Sequence, residues 1–193
     1  ADDYREILAS NAEEFERLSR TISDMLFLAK ADNDQVIPSQ ESIELAEEVA
    51  ELLEYYEILA EEKAITLSQT GRGRVTGDRL MLRRAISNLL SNAIRHTPNG
   101  GSIATRICYA SEGSTVLTVE NTGKTISPEH LPRLFDRFYR IDSSRFRTTE
   151  NAGLGLAITR SILQAHGGDI SARSEDGLTS FVLRLPIGNN ENG

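Results

Sequence analysis

The segment from Asp78 to His96 constrains the fold more strongly than any other part of the chain. Apolar residues recur in it with the period of an α-helix, and Asp78 at its start suits an N-cap. Pro98 lies just beyond its end. The apolar stripe of this predicted helix consists of Leu82, Ala85, Ile86, Leu89, Leu90 and Ala93. A helix with such a stripe buries one face, so a second layer has to cover it.

Alternating segments predict that second layer. Residues 102–110 and 114–121 alternate apolar and polar positions like two paired strands, with a turn at 111–113. Further strands are predicted at 42–45, 65–69, 74–76, 170–173 and 179–185, further helices at 46–63 and 153–166, and a short helix at 128–135 in an otherwise irregular stretch, 122–152. This mixture predicts an α+β fold, a two-layer α/β sandwich in which a mixed sheet packs on helices.

One long helix, residues 3–31, is predicted to precede the sandwich. Its apolar residues follow heptad spacing at Tyr4, Leu8, Phe15, Leu18, Ile22, Met25 and Ala29. This seam favours contact with another helix, in a bundle or a dimer; an amphipathic helix folded onto its own domain is the alternative. Asp32-Asn33-Asp34 and Pro38 interrupt the pattern, so we expect a boundary between residues 1–37 and residues 38–193.

Composition excludes several classes of function. The chain has 21 Lys and Arg against 29 Asp and Glu, a net charge of −8, so no binding of nucleic acid is expected. The single cysteine, Cys108, allows no internal disulfide and is expected to be a small core residue on a strand. No apolar run has the length of a membrane span and no signal peptide opens the chain, so we expect a soluble, cytoplasmic fragment.

Two asparagines share one face of the helix at 78–96. Asn88 and Asn92 are four residues apart, and Arg95 and His96 follow near that face. Asparagine is a mediocre helix former, which favours a use for this pair over chance. Amide oxygens are ligands suited to Mg²⁺, and an arginine suits phosphate, so the pair could hold a magnesium nucleotide. Two solvated surface residues are the alternative.

A glycine-rich start marks the helix predicted at 153–166. Gly153 and Gly155 lie in the segment NAGLGLAI, and a helix N-terminus with closely approaching backbone can bind an anion. The segment is not a Rossmann fingerprint, because a third glycine and a preceding strand are missing. Packing through small residues is the alternative.

A basic and aromatic segment, LPRLFDRFYRIDSSRFR at 131–147, precedes that helix. It is predicted to form a lid over a polyphosphate, or otherwise an exposed basic loop. Its aromatic residues are Phe135, Phe138 and Tyr139, and its arginines are Arg133, Arg137, Arg140, Arg145 and Arg147.

The stretch VENTGKTISP at 119–128 contains Gly-Lys-Thr, which ends a phosphate-binding P-loop. A P-loop needs a glycine five residues before Gly123, where this chain has Thr118. Pro128 also interrupts the helix that should follow. The stretch is therefore not a P-loop.

The order of these segments resembles the catalytic ATP-binding domain of sensor histidine kinases, in the ATPase superfamily shared with gyrase B and MutL. NLLSNAIRHT resembles the asparagine box, LFDRFYRIDSSR the phenylalanine box and AGLGLAI the second glycine box. Residues 1–31 resemble the second helix of the dimerisation and phosphotransfer hairpin. The segments ENTGKTI and PEHLPRLFDRFYR resemble those of the heavy-metal sensor kinases that respond to copper and silver.

The resemblance implies a site for ATP and Mg²⁺. Asn88 would ligate the metal, and Asn92 would touch metal or phosphate. Arg95 and His96 would approach the phosphates and the sugar or base. The other implied nucleotide contacts are Asn121, Gly123 and Thr179 at the adenine end, Arg140 or Arg145 at the γ-phosphate, Gly153 and Gly155 at the helix start, and Ile126, Phe138, Tyr139, Leu154 and Leu156.

The resemblance also implies a phosphorelay. The γ-phosphate would pass to a histidine and then to an aspartate of a response regulator, in a homodimer formed through the N-terminal helix and joined to a bacterial inner membrane through upstream segments. None of the three histidines (His96, His130 and His166) lies in residues 1–31, so the phosphoacceptor and any catalytic residue are expected outside this fragment. His130 and His166 are interpreted as surface or helix-end residues.

Three departures from the family pattern leave alternatives open. Asn121 stands where relatives carry an adenine-binding aspartate, Thr125 replaces a glycine and should make its turn less permissive, and Asn151 is a mild change. A degenerate nucleotide-binding or dimerisation module is therefore the alternative function. An ATPase of the gyrase or MutL type is disfavoured, because Arg84 stands four residues before Asn88 where a water-activating acid would be needed.

Overall fold

The described part of the chain, residues 2–110, 113–141 and 153–187, forms four helices and seven strands in the computed structural model. The helices are α1 (Asp2–Asp32), α2 (Leu45–Glu62), α3 (Arg79–His96) and α4 (Gly155–Ala165). The strands are β1 (Glu41–Glu44), β2 (Thr66–Gly71), β3 (Arg74–Gly77), β4 (Ser102–Ala110), β5 (Ser114–Thr122), β6 (Asp169–Glu175) and β7 (Leu178–Pro186). Each agrees with its predicted range to within two residues.

The strands build one mixed five-stranded sheet and one two-stranded ribbon. The sheet has the order β2-β4-β5-β7-β6, in which β2 and β4 are parallel and all other neighbours are antiparallel. The ribbon pairs β1 with β3. The predicted α+β sandwich is thereby confirmed. The helix predicted at 128–135 is wrong in extent, because only a 3₁₀ turn at Leu131–Arg133 forms there.

The core lies between one face of the sheet and the helices α2, α3 and α4. It includes Val49 and Leu52 of α2, Leu82, Ile86, Leu89 and Leu90 of α3, Ile158 and Ile162 of α4, and Ile103, Leu117, Val119, Phe181 and Leu183 of the sheet. Cys108 does not belong to it, contrary to our expectation. The buried positions of β4 are Ile103, Thr105 and Ile107, so alternation turns Cys108 to the exposed face.

A buried carboxylate clamps α2 to α3. Glu48 of α2 is only 2% exposed and forms ion pairs with Arg79 and Arg83 of α3. Arg83 also lies 2.5 Å from a carboxylate oxygen of Glu51. These contacts satisfy a charge that would otherwise be costly to bury.

His166 holds the end of α4 against the start of α3. Its Nε2 accepts a hydrogen bond from the backbone N–H of Asp78 at 2.9 Å, and its Nδ1 donates to the carbonyl of Ile162 at 2.7 Å. The Asp78 carboxylate caps α3 by accepting from Met81 N–H, and this bond lowers the pKa of Asp78. The interpretation of His166 as an ordinary helix-end residue was therefore incomplete, because it links two helices that are distant in sequence.

The last turns of α1 pack on the sandwich, whereas the predicted seam is exposed at every position whose side chain the structure describes. Leu28 is buried in the common core and Phe27 is half-buried against it. The seam residues with exposed side chains are Leu8, Phe15, Leu18, Ile22, Met25 and Ala29. The seam is thus available for another helix, and the boundary at residues 37 and 38 stays a prediction.

Among the described residues, no helix combines the length and the apolar character that a bilayer crossing requires.

Candidate nucleotide-binding site

The asparagine motif and the glycine motif meet in the tertiary structure. The Asn88 side chain, half-buried on α3, donates from Nδ2 to the carbonyl oxygen of Gly155 at 3.0 Å. Gly155 begins α4, and a Cβ at that position would lie 3.7 Å from Oδ1 of Asn88. Thr159, one turn along α4, donates to the same carbonyl at 2.9 Å. Two segments that are 67 residues apart therefore form one local structure.

A cavity of about 610 Å³ opens beside this contact. Its walls come from α1, α2, α3 and the start of α4. The lining residues are Arg20, Thr21, Ser23, Asp24, Tyr55, Tyr56, Leu59, Arg84, Asn88, Ser91, Ile94, Arg95, Leu154 and Gly155. Four predicted contacts, Asn88, Arg95, Leu154 and Gly155, are therefore brought together. Asn92, half-buried, and His96, exposed at the helix end, lie on the same helix but outside this lining, as does Leu156.

Lys63 supports the end of α3, a role that the sequence pattern did not reveal. Its Nζ donates to the carbonyl oxygens of Ile94 at 2.6 Å and Thr97 at 2.9 Å. A cation here stabilises the negative end of the helix dipole. Lys63 thereby holds the turn that presents Arg95 and His96. The contact spans 31 residues and leaves no local signal in the sequence.

The predicted adenine end lies where β5 meets β7. Asn121 and Thr179 are opposite each other in the strand register and are only 4% and 6% exposed. Asn121 donates from Nδ2 to the backbone oxygen of Thr122 at 3.0 Å, which leaves its Oδ1 as the group that can accept. A Cβ on Gly123 would lie 3.0 Å from the carbonyl oxygen of His96, so a glycine lets this loop approach the end of α3. Asn121, Gly123 and Thr179 do not line the cavity.

Thr125 stabilises the loop that follows β5, so we no longer expect its replacement of a glycine to disturb the turn. Its hydroxyl oxygen accepts from the N–H of Gly177 at 2.9 Å, and its backbone does not adopt a positive φ. Gly123 N–H donates to the carbonyl of Gly177 at 2.8 Å, and Ile126 N–H donates to Ser174 Oγ at 2.9 Å. The turn therefore does not need the conformational freedom that a glycine would add.

The predicted lid contacts the glycine motif through Phe138. Phe138 N–H donates to the carbonyl of Gly153 at 3.0 Å, and Phe138 and Gly153 both have left-handed backbones, with φ of 62° and 73°. A Cβ on Gly153 would lie 3.1 Å from Cα of Phe138, so the close approach also requires glycine. Arg140 is exposed beside this junction. Arg145 lies outside the described residues, as does Asn151.

Tyr139 is anchored by neighbours within its own segment. Its hydroxyl lies 2.6 Å from Nδ1 of His130, and the Arg133 guanidinium lies 4.3 Å from its ring centroid. Phe135 packs edge-to-face on the core ring of Phe181 at 6.3 Å. His130, which we interpreted as a surface residue, thus holds Tyr139 of the predicted lid in place.

The donor set fits a magnesium ion bound largely through nucleotide phosphates and water. The nitrogen of Asn88 is engaged by Gly155, so its amide oxygen is the group that can serve as a hard ligand. Among the described residues, no group of three or more His, Cys, Asp and Glu side chains could hold a metal ion. A magnesium ion at this site would be coordinated mainly by nucleotide phosphates and water, with the amide oxygen of Asn88 as a protein ligand.

Comparison with curated proteins finds sensor kinases. The chain is 49% identical over 185 residues to the sensor histidine kinase CusS of Escherichia coli strain K12, covering 95% of this chain and 38% of CusS. It is 50% identical over 182 residues to PcoS of Escherichia coli, named a probable sensor protein, covering 94% of this chain and 39% of PcoS. The chain thus spans about two fifths of the length of these relatives.

Solved structures of histidine kinases share the fold. Full-length ShkA in complex with AMPPNP matches with a TM-score of 0.82 at 23% identity, covering 95% of this chain and 39% of ShkA. AdeS of Acinetobacter baumannii matches at 0.77 and 23%, covering 94% and 84%. ThkA in complex with the response regulator TrrA matches at 0.71 and 22%, covering 92% and 50%.

A family model assigns the larger part of the chain. The model described as histidine kinase-, DNA gyrase B- and HSP90-like ATPase matches residues 77–189, from the end of β3 to beyond β7. This range holds every predicted nucleotide contact. The chain therefore belongs to the histidine kinase-, DNA gyrase B- and HSP90-like ATPase family.

Proposed function

We propose that this chain is the ATP-binding catalytic part of a two-component sensor histidine kinase that responds to metal ions. The observation that carries the proposal is the contact of Asn88 with Gly155 beside a cavity that Arg95 also lines. The sensor kinases among its relatives support the reaction class. The segments ENTGKTI and PEHLPRLFDRFYR, which resemble those of heavy-metal sensor kinases, support metal ions as the stimulus.

In this proposal the nucleotide lies along α3. Adenine would bind near Asn121 and Thr179, and the phosphates would extend from His96 towards Asn88. Bound Mg²⁺ would neutralise charge on the phosphates. The arginines and the helix start at Gly155 would position them for transfer rather than form a covalent intermediate. A histidine nitrogen would bond to the γ-phosphorus while the bond to the β,γ-bridging oxygen breaks and ADP leaves with the electron pair.

The residue at position 84 favours transfer of the phosphoryl group to a protein side chain over hydrolysis of ATP by water. Arg84, on the face of Asn88 and four residues before it, pairs with Asp24 of α1. A guanidinium cannot act as a general base. The phosphoryl acceptor would therefore be a histidine of another helix, placed by the exposed seam of α1 in a homodimer. A response-regulator aspartate would then receive the phosphate. The chain would lie on the cytoplasmic side of a membrane sensor.

Phosphotransfer to a separate helix tests the function. We expect this chain with Mg-ATP to place acid-labile, base-stable phosphate on an added fragment that carries the first helix of the hairpin. A fragment whose phosphoacceptor histidine is replaced by alanine should remain unlabelled. If calorimetric titration detects no binding of Mg-ATP up to millimolar concentration, the kinase function is wrong and the degenerate module is favoured.

The amide at position 121 gives a separate prediction. Asn121→Asp should keep or strengthen ATP binding, because Oδ1 is the acceptor available to the adenine amino group in either side chain. Asn121→Leu, of similar size without an acceptor, should weaken ATP binding about tenfold. Calorimetry at one magnesium concentration measures both variants. If Asn121→Asp abolishes binding in a folded protein, the β5–β7 loop does not hold adenine.

A further inference from the structure

The face of α3 that carries Asn88 also carries Arg84, a residue outside the motifs that resemble the family. Arg84 lies one turn before Asn88 on the same face and lines the same cavity. Its guanidinium forms an ion pair with the Asp24 carboxylate of α1 and lies 5.0 Å from the ring centroid of Phe27. The side chains of Arg84 and Asp24 are about one-third exposed, at 35% and 30%. Solvent and an incoming ligand can therefore reach this pair.

The direction of the nucleotide points its phosphate chain at Arg84. This step rests on the proposed function, in which adenine lies at the Gly123 end of the site. Gly123 approaches the carbonyl of His96 at the C-terminal end of α3. Asn88 lies eight residues earlier, which is about 12 Å along the helix, and Arg84 about 6 Å further. A chain of phosphates that starts near His96 and reaches Asn88 therefore has its terminal group nearest to Arg84.

The charge of the cavity favours a polyanion there. Among the described residues, the charged side chains that line the cavity are those of Arg20, Arg84 and Arg95 and of one acid, Asp24. This excess of positive charge lies within a chain whose net charge is −8. A phosphate carries more charge than a carboxylate and can also accept two parallel N–H bonds from one guanidinium. A terminal phosphate is thus a stronger partner for Arg84 than Asp24 is.

We propose that Arg84 binds the terminal phosphate of a nucleoside triphosphate and that Asp24 occupies Arg84 until the phosphate arrives. The exchange of partners makes Arg84 a residue that distinguishes ATP from ADP, because ADP lacks the group that reaches it. It also couples the site to α1, since the Asp24 contact is lost as the triphosphate binds.

The ratio of triphosphate to diphosphate affinity tests this role. Calorimetric titrations use Mg-AMPPNP and Mg-ADP as probes on the chain described here. Arg84→Met should weaken AMPPNP binding about tenfold and change ADP binding less than about twofold. Asp24→Asn removes the competitor and should strengthen AMPPNP binding roughly threefold, again without effect on ADP. In the double variant the gain from Asp24→Asn should vanish.

Matched variants separate this role from a general loss of charge or fold. Arg74→Met and Glu14→Gln each break an exposed ion pair that does not line the cavity, with Glu44 and Arg17 respectively, and should leave both affinities unchanged. If Arg84→Met fails to fold, Arg84→Lys and Asp24→Asn carry the test, with Arg84→Lys expected to weaken AMPPNP selectively.

Two outcomes overturn the proposal, and they differ. If the wild-type chain binds both nucleotides and neither the Arg84 nor the Asp24 variants change the ratio of the AMPPNP affinity to the ADP affinity, only the role of Arg84 is overturned. Failure of the folded wild-type chain to bind either nucleotide overturns the proposed function together with it.

Discussion

Replacement of Asn88 by alanine should abolish magnesium-dependent nucleotide binding and leave the fold intact. The variant loses the amide oxygen proposed as a metal ligand and the hydrogen bond to the Gly155 carbonyl. Loss of this magnesium-dependent part of binding should lower the affinity for Mg-ATP on the order of 10- to 100-fold, because contacts to charged groups are stronger than neutral ones. Calorimetric titration of Mg-ATP, repeated in excess EDTA, measures the effect, because only the magnesium-dependent part of the affinity should disappear.

Two further variants show which of the two contacts matters. Asn88→Asp keeps an oxygen ligand but cannot donate to Gly155, so retained magnesium dependence with a lower melting temperature would separate the roles. Asn33→Ala removes an asparagine that donates to the Ala29 carbonyl at the end of α1, away from the cavity, and should not affect nucleotide binding. Unchanged affinity in Asn88→Ala would refute the metal role.

Removal of both arginines around Glu48 should destabilise the protein by about 3–5 kcal/mol. The double variant Arg79→Met and Arg83→Met leaves a carboxylate that is 2% exposed without a cation. A buried charge without a partner is far more costly than an exposed one. Urea denaturation, followed by circular dichroism, measures the free energy of unfolding.

Removal of the buried carboxylate itself should recover most of the lost free energy of unfolding. Adding Glu48→Met to the double variant removes the buried charge, and apolar residues of similar volume often replace a buried ion cluster at little cost. Arg74→Met serves as the control, since its pair with Glu44 is largely exposed and should contribute less than about 1 kcal/mol. A triple variant no more stable than the double variant would show that Glu48 is not the source of the instability.

Local sequence patterns predicted the helices and strands well, because the interactions that begin and end them lie close together in the sequence. The N-cap at Asp78, the helical period of α3 and the break at Pro98 all act within a few residues of one another. The alternation in β4 and β5 likewise depends only on which neighbours are apolar. Cys108 shows that this alternation is a better guide to burial than residue type, because the period that buries Ile103 and Ile107 places Cys108 on the opposite, exposed face.

Neighbours along the chain were sufficient to specify the helices, the strands, the asparagine and glycine motifs and the family to which they belong. Contacts between distant segments could be known only after those elements had packed. Lys63 reaches the end of α3 across 31 residues, and Asp24 reaches Arg84 across 60. A side-chain contact of this kind depends on the orientation of two elements against a common core, which no periodicity within either element encodes. Helical spacing places Arg84 on the face of Asn88, and packing decided that this face lines a cavity and that Arg84 has a partner on α1.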